Sequence, residues 1–229
     1  MTDIGNIIIQ FLKKLKNIPI FAMIDSLSLI QMGRRIFEKL TYNLGDGAKV
    51  IYIPNYVINP DDLFEELKTT IPWRRYKYEV HGKEVTSPRL MHIIHFGLSE
   101  SSDESDDDQT SSELNLPLLE KIKKRVEKIT GVEFKYGVLN YYRDGNDYIG
   151  FHPDREVGPG HMVVSVSVGA TRRFVLKHKF REGVKHKFML ANGDVLIMNE
   201  AAIKTMYKHS IPKMANVGPR INITFRQEE

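Results

Sequence analysis

Arg220-Ile221-Asn222-Ile223-Thr224-Phe225-Arg226 alternates polar and apolar residues without a break. Successive side chains of an extended segment point to opposite faces, so Ile221, Ile223 and Phe225 share one face. Arg220, Asn222, Thr224 and Arg226 share the other. The apolar face needs a core to cover it. The polar face has two readings. It is a solvated outer surface, or it is a wall whose two guanidiniums hold a small dianion by charge-assisted hydrogen bonds. Upstream of it, Val138–Tyr142, Val163–Val168, Arg173–Lys179, Lys187–Leu190, Asp194–Asn199 and Met206–Ile211 also read as strands, punctuated by Gly145, Gly158, Gly160, Gly169, Gly183, Asn192-Gly193 and Pro212. Many short strands between turn signals predict a sandwich, a barrel or a jelly roll.

Within this β-rich half, His152-Pro153-Asp154 places two ligand-type side chains on one side of an extended segment. A lone His-x-Asp pair is common on protein surfaces. A third ligand is available downstream in His209, on a strand-like stretch ahead of Pro212. Two histidines and one carboxylate form the facial set of non-haem Fe(II) oxygenases, which leaves coordination positions open. The chain has no cysteine, so thiolate metal sites, disulfides and a cysteine nucleophile are excluded together. Asn140 and Tyr142 share a strand face twelve and ten residues before His152. They can reach the oxygens of the same dianion, or they are ordinary strand residues ahead of a turn.

The first part of the chain reads differently. Ile7, Ile8, Phe11, Leu12 and Leu15 fall at helical spacing, and a second helical pattern runs from about Leu29 to Leu40 and ends near Gly45 and Gly47. Residues 1–47 are therefore expected to be an N-terminal helical extension. Val50–Ile53 reads as a strand. Asn59-Pro60 starts a helix expected to reach Thr70, with Asn59 as its cap. The basic and aromatic stretch Arg74–Gly97 reads as strands with a Gly82-Lys83 hairpin tip. Asn115 and Pro117 open a further helix, with Leu118, Leu119, Ile122, Val126 and Ile129 on its buried stripe.

Charge is unevenly placed. The net charge over 229 residues is +4, yet Ser99–Glu113 carries seven acidic residues and no basic one. That Ser-rich insert reads as a solvated loop. The rest of the chain has 33 basic against 22 acidic side chains, a body of +11. Such a body favours polyanionic partners, although solubility alone also explains it. There is no apolar run of 18 residues, and the opening residues lack a basic stretch ahead of Ile18–Ile24, so neither a membrane helix nor a secretory leader is expected.

The ordered series Asn140-x-Tyr142, His152-x-Asp154, Ser165-x-Ser167-x-Gly169, Gly193-Asp194, His209 and Arg220/Arg226 resembles the AlkB-like family of Fe(II)/2-oxoglutarate-dependent dioxygenases. The likeness extends over about residues 50–227. It is strongest toward the eukaryotic branch that demethylates duplex DNA.

The resemblance implies an α+β fold. It has a double-stranded β-helix (jelly-roll) core at 115–229 and a nucleotide-recognition lid with supporting helix at 48–98. The acidic loop at 99–114 joins these parts. It implies His152, Asp154 and His209 as Fe(II) ligands, and Arg220 on the distal carboxylate of 2-oxoglutarate. Asn140, Tyr142, Asn222, Thr224 and Arg226 would complete that pocket. With dioxygen as co-oxidant, such an enzyme removes N-methyl groups of the 1-methyladenine or 3-methylcytosine type from DNA. Formaldehyde and succinate are the products.

The target base must be flipped or single-stranded. On this reading His95 or Phe96 stacks on it, Glu156 meets its edge, Arg89 and Lys83 contact phosphates, and His81 stands at the lid tip. Arg155 takes a position that is often acidic in the duplex-acting relatives. The expected partner is alkylated DNA, duplex or single-stranded, or RNA. A monomer without membrane contact, intracellular and nuclear if eukaryotic, is also expected. An RNA demethylase, a protein hydroxylase or a non-catalytic nucleic-acid binder are the alternatives on the same scaffold.

Overall fold

The computed structural model describes residues 24–32, 35–80, 82–97, 109–110 and 114–228. Its strands are β1 (Ile24–Met32), β2 (Arg35–Gly45), β3 (Ala48–Ile53), β4 (Lys77–Val80), β5 (Lys83–Thr86), β6 (Leu90–His95), β7 (Gln109–Thr110), β8 (Tyr136–Tyr142), β9 (Ile149–His152), β10 (Met162–Gly169), β11 (Arg172–His178), β12 (Lys185–Leu190), β13 (Val195–Asn199), β14 (Tyr207–Ile211) and β15 (Arg220–Arg226). The helices are α1 (Pro60–Thr70) and α2 (Pro117–Thr130), with a π-helical turn at Ala201–Thr205.

Two sheets face each other. The major sheet has the order β1-β2-β3-β13-β10-β15-β8-β6-β7, and the minor sheet β12-β11-β14-β9. All their pairings are antiparallel except β6 with β7. The strands β4 and β5 form a separate hairpin through Gly82, which has a positive φ of 73°.

The alternation of β15 is realised as expected, but neither face is solvated. Ile221, Ile223 and Phe225 join the core that packs α1 and α2 on the outer side of the major sheet, together with Phe64, Leu67, Leu119, Ile122 and Val126. A fully buried side chain of this size contributes about 1.5–3 kcal/mol. The second core fills the space between the sheets, with Leu176, Phe188, Leu190, Leu196, Met198 and Tyr207. Arg220, Asn222 and Arg226 are buried there at 1%, 7% and 7% exposure. A polar face can be buried only where partners or a ligand meet it.

The expectation of helix over Leu29–Leu40 is corrected: 29–32 lie in β1 and 35–40 in β2. The decisive pattern is Leu40, Tyr42 and Leu44, buried in alternation along β2. Gly45 and Gly47, read as a helix stop, sit at positive φ in the tight turn from β2 to β3. These strands extend the same sheet as β10 and β15, so Ile24–Met32 and Arg35–Gly45 lengthen it toward one edge rather than form a helical extension. Ile7 to Leu15, and the acidic stretch apart from Gln109 and Thr110, lie outside the described residues.

Both helices begin near the expected Asn-Pro signals, yet Asn59 and Asn115 adopt left-handed φ values of 54° and 51° and neither helix has a side-chain cap. The first amides of α2 find their acceptor across the helix pair. The Glu66 carboxylate on α1 accepts from the backbone N–H groups of Leu118 and Leu119 at 3.0–3.1 Å. A carboxylate there also meets the positive end of the helix dipole.

Asp194 ties the β3 side of the major sheet to the turn before β13. It is 1% exposed and accepts from Tyr52 Oη at 2.5 Å, Asn55 N at 3.0 Å and Ala191 N at 2.8 Å. Asp194→Ala leaves three partly buried donors without this acceptor. A loss of about 2–3 kcal/mol in urea unfolding is expected.

Candidate active site

The two sheets enclose a cavity of about 220 Å³. From the minor sheet come His152, at the end of β9, and His209, its direct cross-strand partner on β14. Asp154 follows two residues after His152, and its backbone N–H donates to Ile203 O of the π-helical turn at 3.1 Å. The Nε2 atoms of His152 and His209 lie 3.7 and 3.5 Å from Asp154 Oδ1. All three donor atoms fall within 4.8 Å of one another.

The protonation states suit a cation. His152 Nδ1 meets the Gly150 carbonyl at 2.9 Å, and a carbonyl only accepts. The ring therefore carries its proton on Nδ1 and presents a lone pair on Nε2. Burial lowers the pKa of His152, with Arg89 and Arg226 adding to the effect. His209 is held well below the usual imidazole range by burial, His152, Arg226 and Arg89, and it packs on Phe174 at a centroid distance of 5.6 Å. Two neutral imidazoles and one carboxylate sharing a focus are the donor set of a divalent first-row ion.

The carboxylate is fixed from behind. Arg226 Nη2 donates to Asp154 Oδ2 at 2.8 Å, and Arg226 Nη1 pairs with Glu156. Asp154 thus keeps Oδ1 for the histidine side.

The opposite wall is the polar face of β15 beside β8, in the register Arg220 to Tyr142, Asn222 to Asn140 and Thr224 to Val138. Asn140, Tyr142, Asn222, Thr224 and Arg226 all line the cavity. Arg220 stands one side-chain layer behind, with its guanidinium over the Tyr142 ring at 5.4 Å from the centroid. Its Nη2 donates to Ser167 Oγ at 2.9 Å, while Nε and Nη1 have no protein partner. Burial pushes its pKa down to about 10.

Ser165 and Ser167, in the sequence only motif positions, prove to be acceptors on β10. They anchor Asn222 (2.8 Å) and Arg220 across the strand pair. Sequence reasoning did not single out Arg172. It is fully buried, donates to the backbone carbonyls of Asp144, Asp147 and Pro212, and flanks the Tyr142 ring at 5.2 Å. Its one signal in the chain is a basic residue opening a strand after a glycine turn.

The lid residues are placed unequally. Arg89, expected on phosphates, is 6% exposed and donates through Nε to Asn140 Oδ1 at 2.5 Å, inside the cavity wall. A buried guanidinium held there faces the pocket and not a surface phosphate. His95 and Phe96 part company by strand alternation. His95 is opposite Tyr136 and stacks on it, on the same strand face as the cavity-lining Met91. Phe96 packs against Phe225 on the helix side of the sheet, with the Lys123 ammonium over its ring, so its expected contact with a base is corrected. Glu156 borders the cavity but is engaged by Arg226. Lys83 lies on the hairpin strand β5, and His81 is outside the described residues.

Residues 49–226 match the sequence profile of the 2OG-Fe(II) oxygenase superfamily. The chain belongs to that superfamily. Within this 2OG-Fe(II) oxygenase, 123 residues are 41% identical to the DNA oxidative demethylase ALKBH2 of Bos taurus, covering 49% of this chain and 44% of the relative. A longer match, 29% identical over 226 residues, joins it to the Arabidopsis thaliana protein of the same name, covering 82% and 69% of the two chains. The chain spans about half the length of the animal relatives it matches. The solved structure of OsALKBH1 superimposes with a TM-score of 0.56 at 17% identity, over 78% of this chain and 97% of that one, which shows the shared fold. The family takes Fe(II), 2-oxoglutarate and dioxygen, and the His152, Asp154 and His209 cluster has the donor set for the metal. No described helix is long and apolar enough to cross a membrane.

Proposed function

We propose that this chain removes N-linked methyl groups from bases in DNA of the 1-methyladenine and 3-methylcytosine type, releasing formaldehyde and succinate. The observation that carries the reading is the pairing of the histidine–aspartate focus with a buried, arginine-backed wall across one cavity. The nucleic-acid part is supported by the likeness to DNA oxidative demethylases.

On this reading His152, Asp154 and His209 hold Fe(II). Tyr142, Asn140 and Asn222, with Arg220 behind them, receive the dianion, and Thr224 and Arg226 close the pocket. When bound, Fe(II), 2-oxoglutarate and dioxygen supply a two-electron oxidant for a C–H bond, with the cosubstrate leaving as succinate and carbon dioxide. The protein's own share is positional. Arg226 fixes one oxygen of Asp154 and turns the other toward the histidines. The Gly150 carbonyl sets the His152 tautomer. Val163, Phe174, Met198 and Ile211 give the cavity a dry apolar side. Dry walls strengthen every charge contact inside them.

The hydroxylated methyl carbon then parts from the ring nitrogen as formaldehyde, and the nitrogen recovers its lone pair. No protein nucleophile takes part. Incubation with Fe(II), 2-oxoglutarate, air and a 1-methyladenine DNA oligonucleotide is expected to give formaldehyde, succinate and adenine in equal amounts. Turnover confined to methylated RNA would replace DNA in this reading. Succinate without base repair on either nucleic acid would refute it.

A further inference from the structure

We infer that the outer edge of β1 pairs with the same edge of a second copy of this chain, so that the major sheet runs through a two-fold dimer. The order β1-β2-β3-β13-β10-β15-β8-β6-β7 leaves β1 at one end, and among the described residues no strand pairs with its outer side. β1 has nine residues. It therefore offers a row of backbone N–H and C=O groups about 30 Å long. Such a row is a template for another strand.

The other edges of the two sheets are guarded. β7 has two residues. β9 has four, and its register against β14 shifts between His209 and Ile211. β12 carries the exposed Lys185 and Lys187. Short strands, irregular pairing and lysines are the devices that keep edges from pairing. Ser26–Met32 has none of them. It contains no charged residue and no proline, and its register with β2 is unbroken. The one irregularity of β1 falls between Ile24 and Ser26, at its start.

The strand also matches itself. A two-fold axis perpendicular to the sheet sets two copies of β1 antiparallel and keeps each sheet face on its own side. The nine residues overlap along their full length when Ser28 lies opposite the partner's Ser28. Leu27 then lies opposite the partner's Leu29, and Leu29 opposite the partner's Leu27. Leu27 packs against the core between the sheets, and Leu29 shares its face. Leu29 is 42% exposed. On β2, Ile36 is 53% exposed on the same face, opposite Gln31. Pairing about Ser28 gathers four leucines at the axis and takes Leu29 out of water. Ile30 and Met32, on the other face, pack against the helix-side core and hold the strand in place. The backbone ladder supplies the length of the contact and the leucines supply its apolar centre. Both minor sheets, and with them both cavities, then lie on one side of the joined sheet. This arrangement departs from the monomer expected from the sequence.

A small contact of this kind is expected to have a dissociation constant on the order of 10 µM. Sedimentation velocity of the full chain should therefore show single chains well below that concentration and pairs well above it. Leu29→Lys sets two ammonium groups beside the axis and is expected to weaken pairing at least about tenfold. The melting temperature of the dilute chain is expected to stay unchanged, since Leu29 is exposed. The chain has no cysteine, so one introduced thiol reports the register. Ser28→Cys puts the two thiols directly opposite each other and is expected to link the pair under mild air oxidation. Ser26→Cys puts them about 13 Å apart along the strands and is expected not to link them. A single-chain mass at every concentration overturns the pairing, whether residues 1–23 or solvent then cover the edge. Pairs that persist unchanged in Leu29→Lys overturn it by placing the contact elsewhere on the surface. Equal linkage from positions 26 and 28 overturns the alignment about Ser28.

Discussion

His209→Ala is expected to abolish Fe(II) retention and to cut turnover by on the order of 10³-fold or more, equivalent to about 4 kcal/mol of transition-state stabilisation. His209 is 8% exposed between the sheets, with Phe174 on one side and His152 4.1 Å away by ring centroid. Among the described residues no further histidine or carboxylate joins His152, Asp154 and His209 in this cluster to replace its nitrogen. Two donors then face the ion where three are needed to hold it and keep positions open. The fold is expected to survive, since the imidazole has no hydrogen bond from Nδ1 to give up. Iron content by mass spectrometry after anaerobic loading and gel filtration, beside a circular dichroism melt, checks both parts. Retention of iron by the folded variant would remove His209 from the site.

Arg220→Met is expected to act in opposite directions on stability and on function. In the ligand-free protein this guanidinium is buried, touches the Tyr142 ring and the Ser167 hydroxyl, and keeps two nitrogens without a protein partner. An uncompensated buried cation is a burden on the fold. Replacing such a charge with an apolar side chain of similar length is expected to raise stability by about 1–4 kcal/mol. The same change removes the cation against which a buried dianion is stabilised. Affinity for 2-oxoglutarate is expected to fall by at least about 100-fold, the scale of removing one charge-assisted hydrogen bond inside a buried site. The measurement is a pair of thermal melts, with and without saturating 2-oxoglutarate and Mn(II). Wild type should gain stability on ligation by mass action, and the variant should start higher and gain less. A variant that is less stable without ligand would show that Arg220 is structural.

Much of this arrangement is legible in the chain. The strict alternation at 220–226 by itself separates a core face from a functional face, and the spacing of His152 and Asp154 puts both on one side of an extended segment. The remote position of His209 enters only as a third ligand type, and its pairing with His152 depends on strand register. Register also conceals the part played by Ser165 and Ser167, which matter because Asn222 and Arg220 pack beside them across the β10–β15 pair. The helical reading of Leu29–Leu40 fails for another cause. Apolar residues crowd that stretch at mixed spacing, so helical and alternating templates both fit. Pairing with β3 through the Gly45–Gly47 turn then decides for strand. Phe96 ends an aromatic, basic run and so reads as a base contact, but one step of strand alternation turns it to the opposite face from His95.

The most direct test of the metal centre is anaerobic equilibrium dialysis of the chain and its Asp154→Ala variant against Fe(II), each with and without 2-oxoglutarate. One Fe(II) per chain in the wild type, tightened by 2-oxoglutarate and absent from the variant, is the predicted result. Equal iron binding by both proteins, or none by either, would contradict a centre built from His152, Asp154 and His209.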